Sequence, residues 1–211
     1  MDGFMMNTLL SAIMLPVVAY LSGSIPFGLL FVRLRAKTDI RDIGSGNIGA
    51  TNVKRALGTP WAVATLVCDG LKGWAPTLAA LHLSGGSWLW LPAIVAMAAI
   101  CGHIYPIYLG FRPSGKGVAT TLGCLLVIAP LGTLFYVIVL VAAIYFSGRV
   151  SAGSLIGALF LPPAAWFTTH DPAVCAATIG IMVLILMRHK ENIQRLATGA
   201  EPIIRFSRRK T

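Results

Sequence analysis

The first of three polar segments that could carry chemistry spans residues 44–55 and reads GSGNIGATNVKR. Its glycines, among them Gly46, allow several backbone N–H groups to point at one anion, and Arg55 offers a bidentate guanidinium. Four side chains add neutral hydrogen-bonding groups: Ser45, Asn47, Thr51 and Asn52. Together these residues predict a loop that binds phosphate.

A dinucleotide-binding loop and a flexible turn account for this segment less well. Residues 44–49 match the pattern G-x-G-x-x-G, and Asp69 follows twenty residues after Gly49, as a dinucleotide-binding fold would require. That fold also needs a preceding strand, whereas apolar stretches of membrane-helix length flank this segment. A flexible polar turn is the structural alternative, since glycine, serine and asparagine are common in loops. The number of donors beside Arg55 argues against it.

The second polar segment, residues 110–117, reads GFRPSGKG and places Lys116 between Gly115 and Gly117. It resembles a Walker A loop as far as the lysine. Gly117, however, stands where a magnesium-binding Ser or Thr is needed, so we do not expect nucleotide hydrolysis. Lys116 still suits an anion, and the alternative is that it anchors the chain at the membrane surface. His103 precedes this loop, and we expect it to be a packing residue.

The third polar segment, residues 188–199, has the spacing of one helical face. Arg188, Asn192 and Arg195 fall at positions i, i+4 and i+7, and His189 lies three residues before Asn192. One face of a helix can therefore present two guanidinium groups, an amide and an imidazole. The alternative is a solvated charged helix that follows a membrane span.

The elements that must position these segments are membrane helices. Of 211 residues, 56% are hydrophobic and 11% are charged, a balance that predicts an all-α integral membrane protein. We expect a single transmembrane domain over residues 1–211, because about 20 residues suffice for one crossing. The four cysteines lie in apolar stretches without C-x-x-C pairing. We therefore expect no metal site and no disulfide framework, and no cofactor.

The apolar stretches predict a bundle of about seven transmembrane helices, with five as the alternative. The count depends on residues 118–147, which are too long for one comfortable crossing and are interrupted at Pro130. Two short spans return the chain to the cytoplasm at Arg149, whereas one kinked span would leave that charge outside. The predicted spans are residues 4–34, 61–83, 88–109, 118–147 as a pair, 152–168 and 172–187.

Charge orients the predicted bundle. The 17 Lys and Arg residues fall in segments predicted to be cytoplasmic, except for Lys72 within the second span. The N-terminus is therefore expected outside, and the C-terminus with basic residues 188–211 inside. All three polar segments then face the cytoplasm. The net charge of +10 suits an anionic lipid leaflet or an anionic substrate rather than nucleic acid.

The second span also contains an ionisable pair, Asp69 and Lys72, at positions i and i+3. Ionisable groups are costly inside a membrane, so these side chains should pair with each other or face the bundle interior. A functional site and a structural lock account for such a pair equally well.

The three segments, in this order and on one predicted side, resemble the signature of the bacterial acyl phosphate:glycerol-3-phosphate acyltransferases, the PlsY family. The resemblance covers nearly the whole chain. It departs at Pro113 and Ser114, where a glycine pair is expected before Gly115. The matching residues are SGNIGATN at 45–52, GHIYP at 102–106, GKGVAT at 115–120, Arg188-His189, Asn192-Ile193 and Arg195-Leu196.

This resemblance implies a seven-helix enzyme of the bacterial plasma membrane with its active site on the cytoplasmic side. Such an enzyme moves a fatty acyl group from acyl phosphate to the 1-position of glycerol 3-phosphate, giving lysophosphatidic acid and phosphate. Its partners would be these two substrates and membrane lipids, with no nucleic acid. Soluble-type glycerolipid acyltransferases carry an HxxxxD motif instead, and none of the four histidines here has Asp five positions later.

The expected reaction assigns roles to the predicted site residues. Acyl phosphate is already activated, so positioning and charge stabilisation can suffice. His189 is the candidate general base because imidazole titrates near neutral pH, and a substrate phosphate oxygen is the alternative base. Lys116 and Asn192 complete the predicted catalytic set. The predicted substrate-binding residues are Ser45, Gly46, Asn47, Thr51, Asn52, Arg55, Gly115, Gly117, Arg188 and Arg195.

The main rival function is a transporter or flippase of an organic phosphate or an anionic lipid. Transporter sites lie near the middle of the membrane on broken helices. Here only Asp69 and Lys72 are predicted to lie that deep. This placement favours the acyltransferase.

Overall fold

The computed structural model describes residues 2–85 and 89–203. Within this part of the chain the protein has ten α-helices and two short 3₁₀ turns, with no strand, so the predicted all-α class is confirmed. Trp88, at the start of the third predicted span, and residues 204–211 of the predicted basic tail lie outside the described residues.

The helices follow one another with short connections, apart from the two polar loops before α3 and α6. The 3₁₀ turns lie in these loops, at Ile40–Asp42 and Ile107–Leu109. The helices are α1 (Asp2–Gly23), α2 (Phe27–Ala36), α3 (Ala50–Leu57), α4 (Thr59–Leu83), α5 (Trp90–Ile104), α6 (Val118–Ile128), α7 (Pro130–Ser147), α8 (Val150–Thr169), α9 (Pro172–Arg188) and α10 (Lys190–Ala197).

Several of these helices are long and apolar enough to cross a membrane, as expected of an integral membrane protein. A fifth candidate joins the four clear ones if α9 and α10, which are bent by 61° at their junction, count as one span. The four clear candidates in the described chain are Ala12–Ala36, Trp90–Leu109, Pro130–Ser147 and Val150–Thr169. Length and composition therefore identify four or five candidate spans, and the seven predicted spans stay a prediction.

Two helices account for this difference in number. The 25-residue α4 is long enough to span, but it carries Asp69 and Lys72 in its middle. The 11-residue α6 rises only about 16 Å, roughly half of a 30 Å hydrocarbon core. The predicted interruption at Pro130 is confirmed, since α6 ends at Ile128 and α7 begins at Pro130.

The chain forms two compact units, Met1–Pro130 and Leu131–Thr211. The single domain expected over residues 1–211 stays a prediction.

In the first unit α4 is the central helix, and it packs against α1, α3, α5 and α6. Small residues let the backbones of α4 and α6 touch, as is common between membrane helices. A Cβ atom on Gly123 of α6 would overlap the carbonyl oxygen of Gly70 on α4. A Cβ atom on Gly73 would lie 2.7 Å from the carbonyl oxygen of Thr120. The crossing of α4 and α6 thus depends on glycine.

In the second unit α8 packs against α9, and its glycines lie against α7. Gly157 faces the ring of Tyr136, and Gly153 faces Ile144. Helix α9 starts at a capping side chain, because Asp171 accepts backbone hydrogen bonds from the first turn. The helix ends at Arg188, and the chain bends before α10.

Candidate functional site

The first polar loop is held together by the buried side chain of Asn52, in the first turn of α3. Its amide nitrogen donates to the carbonyl oxygens of Ile43 (2.8 Å) and Ile40 (3.2 Å). Its Oδ1 accepts from the backbone N–H of Ser45 at 3.3 Å. Asn52 is among the predicted substrate-binding residues, but these contacts place its side chain inside the loop, where it holds the loop backbone together.

Asn47 and two glycines shape the rest of this loop. The Oδ1 atom of Asn47 accepts from the backbone N–H of Gly49 at 2.8 Å, which turns the chain into α3. Gly44 and Gly46 have φ angles of 55° and 66°, a region that glycine enters without strain. Asn47 and Gly46 were predicted to bind substrate, and they also shape the backbone of the loop.

Three predicted binding residues remain exposed on this loop and on α3: Ser45, Thr51 and Arg55. Arg55 lies one turn after Asn52, with its Nη1 3.5 Å from Asn52 Oδ1. The outer surface of the loop thus presents two hydroxyl groups and a guanidinium. This is a set that can bind phosphate.

Asp39, just after α2, forms two ion pairs that sequence spacing did not predict. Its Oδ2 lies 2.7 Å from an Nη2 atom of both Arg33 and Arg41. Hydrogen bonds from Arg41, reinforced by Arg33, hold the pKa of Asp39 well below its ordinary value. Two guanidinium groups beside the loop are therefore held on one carboxylate, and the three side chains together keep a net charge of +1.

The second polar loop is hydrogen-bonded to the first. The backbone N–H of Ile48 donates to the carbonyl oxygen of Ser114 at 3.3 Å, and the N–H of Ser114 donates to Ile104 at 3.0 Å. Ser114 is buried, and its hydroxyl donates to the carbonyl oxygen of Arg112 at 2.8 Å. The loop thus accommodates Ser114 at a position where the family resemblance leads us to expect glycine. Within the first unit, the two predicted anion-binding loops are neighbours.

The glycines on either side of Lys116 position this half-buried lysine. Gly115 packs directly on the imidazole of His103, and a Cβ atom there would overlap the ring. Gly117 has a φ angle of 82° and immediately precedes α6. Packing therefore requires glycine at 115, and backbone conformation favours it at 117.

A buried cluster of ionisable side chains from α4 and α5 lies next to this loop. Lys72 Nζ is 2.7 Å from Asp69 Oδ1 and donates to the carbonyl oxygen of Ile25 at 2.8 Å. His103 Nδ1 lies 3.7 Å from the same carboxylate oxygen. The predicted pairing of Asp69 with Lys72 is confirmed. Through His103 the cluster reaches Gly115, and through Ile25 it reaches the break between α1 and α2.

The third polar segment belongs to the second unit and is organised by Glu201. This carboxylate accepts from Asn192 Nδ2 (2.6 Å) and from Arg195 Nε (2.8 Å), two residues of the predicted face of α10. It also accepts from Ser151 Oγ (2.6 Å) in the first turn of α8. Glu201 thus joins α10 to α8. The one sequence signal for it is that no acidic residue other than Glu201 follows Glu191.

Hydrogen bonding keeps the Glu201 carboxylate ionised. Burial raises its pKa, but hydrogen bonds from Ser151, Arg195 and Asn192 outweigh this effect, so the pKa lies below its ordinary value. Arg149 Nε adds a hydrogen bond to the backbone carbonyl oxygen of Glu201 at 3.2 Å. The side chains of Asn192 and Arg195 are therefore held in fixed orientations.

His189 is buried at the junction of α9 and α10. Its Nδ1 lies 2.8 Å from the carbonyl oxygen of Ile185. Because a carbonyl oxygen can only accept, Nδ1 carries the proton, and Nε2 carries the lone pair of the neutral ring. This tautomer is the one a general base needs when the substrate approaches Nε2. Arg188, which is half-buried, precedes it at the end of α9. The bend of 61° before α10 separates Arg188 from the helix that bears Asn192 and Arg195, so the predicted single helical face is wrong.

The predicted site residues fall into two groups, and Asp39 and Glu201 are the supporting residues that sequence reasoning missed. In the described ranges, 2–85 and 89–203, no cluster of His, Cys, Asp or Glu is arranged to hold a metal ion. The first unit contains Ser45, Gly46, Asn47, Thr51, Asn52, Arg55, Gly115, Lys116 and Gly117, and the second contains Arg188, His189, Asn192 and Arg195.

Comparison with known proteins gives consistent matches over most of the chain. A family model described as glycerol-3-phosphate acyltransferase matches residues 13–199. The glycerol-3-phosphate acyltransferase of Geobacter metallireducens is 47% identical over 193 residues, covering 92% of this chain and 97% of that protein. That of Syntrophotalea carbinolica is 44% identical over 185 residues, covering 88% and 93%.

Two solved structures are similar to this chain. One is the integral membrane glycerol 3-phosphate acyltransferase PlsY in its glycerol 3-phosphate form, with a TM-score of 0.87 and 38% identity. The match covers 92% of this chain and 96% of that one. The lysophosphatidic acid form of PlsY matches with a TM-score of 0.84 and 37% identity, covering 92% and 95%.

Proposed function

This chain belongs to the glycerol-3-phosphate acyltransferase family, and from that premise we propose that it transfers a fatty acyl group from acyl phosphate to the 1-position of glycerol 3-phosphate. The products are lysophosphatidic acid and phosphate. The observation that carries the proposal is the hydrogen bond from Ile48 to Ser114, which makes the Arg55 and Lys116 loops neighbours. Both substrates carry phosphate, and paired cationic, glycine-rich loops suit such groups.

Acyl phosphate is the donor best suited to this chain. A His-Asp dyad of the HxxxxD type is absent from the sequence, so the motif typical of soluble-type glycerolipid acyltransferases is missing. Phosphate is a good leaving group, and an acyl phosphate therefore needs positioning and charge stabilisation rather than further activation. No covalent acyl-enzyme is needed.

In the proposed reaction the 1-hydroxyl oxygen of glycerol 3-phosphate attacks the acyl carbonyl carbon. The bond from that carbon to the phosphate oxygen breaks, and phosphate leaves with the electron pair. The hydroxyl proton passes to Nε2 of His189, the basic ring nitrogen when Nδ1 donates to Ile185. A phosphate oxygen of the substrate is the alternative proton acceptor.

The remaining predicted residues bind phosphate or position the groups that do. In this proposal Lys116 and Arg55 supply positive charge, and Ser45 and Thr51 supply hydroxyl groups. Asn192 supplies an amide whose orientation is set by its hydrogen bond to Glu201. The other residues of the proposed substrate-binding set are Gly46, Asn47, Asn52, Gly115, Gly117, Arg188 and Arg195.

We further propose seven spans, with the N-terminus outside, the C-terminus inside and the active site on the cytoplasmic side of the bacterial inner membrane. The four clear candidates and α9 give five spans, and α4 and α6 supply the other two. Arg149 supports counting both of these helices together, because a crossing by only one of them would leave that cation outside.

The test is a direct assay of the purified protein in detergent with palmitoyl phosphate and glycerol 3-phosphate. We expect lysophosphatidic acid and phosphate in equal amounts, and none from Lys116→Ala/His189→Ala protein purified in the same way. Product formation from palmitoyl-CoA alone would contradict the donor assignment. Movement of glycerol 3-phosphate across liposomes without any lysophosphatidic acid would instead identify a transporter.

A further inference from the structure

His103, in the last turn of α5, lies between the ion pair of α4 and the second polar loop. It is buried, and its Nδ1 atom is 3.7 Å from Oδ1 of Asp69. Another edge of the ring faces Gly115, where a Cβ atom would overlap Nε2 and Cδ2. One imidazole thus lies against a carboxylate of α4 and against the residue that precedes Lys116.

The segment around Lys116 rests on the end of α5. Before the lysine, the backbone N–H of Ser114 donates to the carbonyl oxygen of Ile104 at 3.0 Å. After the lysine, a Cβ atom on Gly117 would lie 3.4 Å from Cδ1 of Ile104. The end of α5 therefore supports the loop backbone on both sides of the lysine, and the imidazole adds a rigid side-chain contact.

Charge balance in the buried cluster does not depend on His103. Lys72 Nζ lies 2.7 Å from Asp69 Oδ1, so this cation already balances the carboxylate. Lys72 also donates to the carbonyl oxygen of Ile25 at 2.8 Å. A carboxylate beside Nδ1 commonly orients an imidazole and selects its tautomer. The position of Asp69 suits that role for His103.

We infer that His103 is a positioning residue for Lys116, an inference that rests on the proposed function. Asp69 orients the ring, the ring supports Gly115, and Gly115 fixes the direction in which Lys116 leaves the loop. No contact between His103 and substrate is needed. A displacement of about 1 Å in a group that holds the substrate can lower the rate by about a hundredfold. A rigid support for the lysine therefore acts directly on the reaction rate.

Substitution in two backgrounds tests whether His103 acts through Lys116. His103→Ala should lower kcat/KM by about tenfold or more in the otherwise wild-type protein, because Gly115 loses its support. His103→Gln refills part of the space and should retain more activity. In Lys116→Ala protein, the same substitutions should change kcat/KM by less than about twofold, because the lysine that His103 positions is already absent.

The kinetic parameter that changes gives a second readout. His103→Gln should act mainly on KM, because a displaced lysine weakens the hold on a substrate phosphate. Its unfolding temperature in detergent should stay close to that of the wild type, since the Asp69–Lys72 pair is left intact. His82→Gln, at an exposed histidine of α4, is the matched control and should keep wild-type kinetics.

A substitution on the loop side tests the contact itself. Gly115→Ala should lower kcat/KM by about tenfold or more, because its Cβ atom would overlap the imidazole. The same substitution should have a clearly smaller effect in His103→Ala protein, where the ring is gone. The relief should be partial, since this Cβ atom would still lie 2.7 Å from the backbone oxygen of residue 103.

The outcomes separate the positioning role from the proposed function. Wild-type kinetics in both His103 variants, or an equal effect of Gly115→Ala with and without the ring, would overturn the positioning role and leave the acyltransferase intact. Equal losses in the presence and absence of Lys116 would show that His103 does not act through the lysine. A wild-type protein that forms no product from any acyl phosphate would overturn the proposed function, and the inference with it.

Discussion

Two lysines of the first unit occupy contrasting environments. Lys116 is half-buried between glycines whose positions are fixed by His103 and by the start of α6. Lys72 is enclosed in the helical core, paired at 2.7 Å with Asp69. We propose that the first acts on substrate and the second on the fold. Substitution should therefore affect different properties.

At Lys116 we expect a kinetic effect. Lys116→Ala should lower kcat/KM at least about tenfold, because a charged hydrogen bond contributes about 1.5–3 kcal/mol. Lys116→Arg should retain partial activity, with its loss mainly in KM, since the wider guanidinium must fit between two glycines. Steady-state kinetics with both substrates measure this. Lys54→Ala, at an exposed cation of α3, is the control. Wild-type kinetics in Lys116→Ala would make the lysine a membrane anchor only.

At Lys72 we expect an effect on stability. Lys72→Met leaves the Asp69 carboxylate buried without its cation, which typically costs about 3–5 kcal/mol. The double variant Asp69→Leu/Lys72→Met removes both charges and should be more stable than Lys72→Met alone. Thermal unfolding in detergent measures both. Equal unfolding temperatures of wild type and Lys72→Met would show that the pair contributes no net stability.

At the scale of elements, Glu201 joins helices that are far apart in the chain. Its carboxylate contacts Ser151 on α8 and both Asn192 and Arg195 on α10. Helix α10 has only eight residues, too few for stability on its own in water. Its position therefore depends on this carboxylate and on the α9 junction.

This dependence predicts how stability varies with pH. The pKa of Glu201 is lower in the folded protein than its ordinary value of 4.5, so its contribution is fully present above about pH 4.5 and is lost as pH falls through the folded pKa. We expect Glu201→Gln to lower the unfolding temperature at pH 7 and to weaken its decline in acid. Thermal unfolding from pH 7 down to about pH 3, below the ordinary pKa of the carboxylate, measures both quantities.

Glu191→Gln is the matched control for this experiment. Glu191 also lies near Arg195, at 3.7 Å, but its side chain is 84% exposed. Exposed ion pairs contribute little to stability, so this variant should behave like the wild type. A Glu201→Gln protein with the same acid profile as the wild type would show that another carboxylate controls the acid response.

At the scale of the whole molecule, the number of spans depends on α4 and α6. One carries a buried ion pair and the other is short, so neither resembles an isolated membrane helix. If both cross the bilayer, Arg149 lies on the cytoplasmic side. If only one of them crosses, Arg149 lies outside, and if neither crosses, Arg149 is again on the cytoplasmic side.

Cysteine labelling tests the proposed seven-span topology. In a variant without the four native cysteines, Val150→Cys should react with a membrane-impermeant maleimide only from the cytoplasmic face, using inverted vesicles. Ser84→Cys, in the connection after α4, should react from the outer face, because the seven-span topology requires α4 to cross the membrane. Labelling of Val150→Cys from outside would mean that only one of α4 and α6 crosses, and labelling of Ser84→Cys from inside would mean that α4 does not cross. Either result would exclude seven spans.

Local sequence properties determine much of the fold and of the candidate site. Hydropathy predicted the all-α membrane class, and glycine spacing located both loops, because each of these signals depends on neighbouring residues only. The Asp69–Lys72 pair was predictable for the same reason, since residues three apart lie on one helical face. The face of α10 that bears Asn192 and Arg195 followed from the same periodicity.

Contacts between distant residues were decided by the tertiary structure alone. Asn52 has a side chain suited to phosphate, yet it bonds to Ile40 and Ile43. Glu201 reaches Ser151 across 50 residues, and Gly115 is glycine because His103 packs against it. A polar group takes the partner that folding brings within about 3 Å. The partner depends on how the helices pack against one another. Hydropathy and residue spacing do not predict that packing, because they depend on neighbouring residues only.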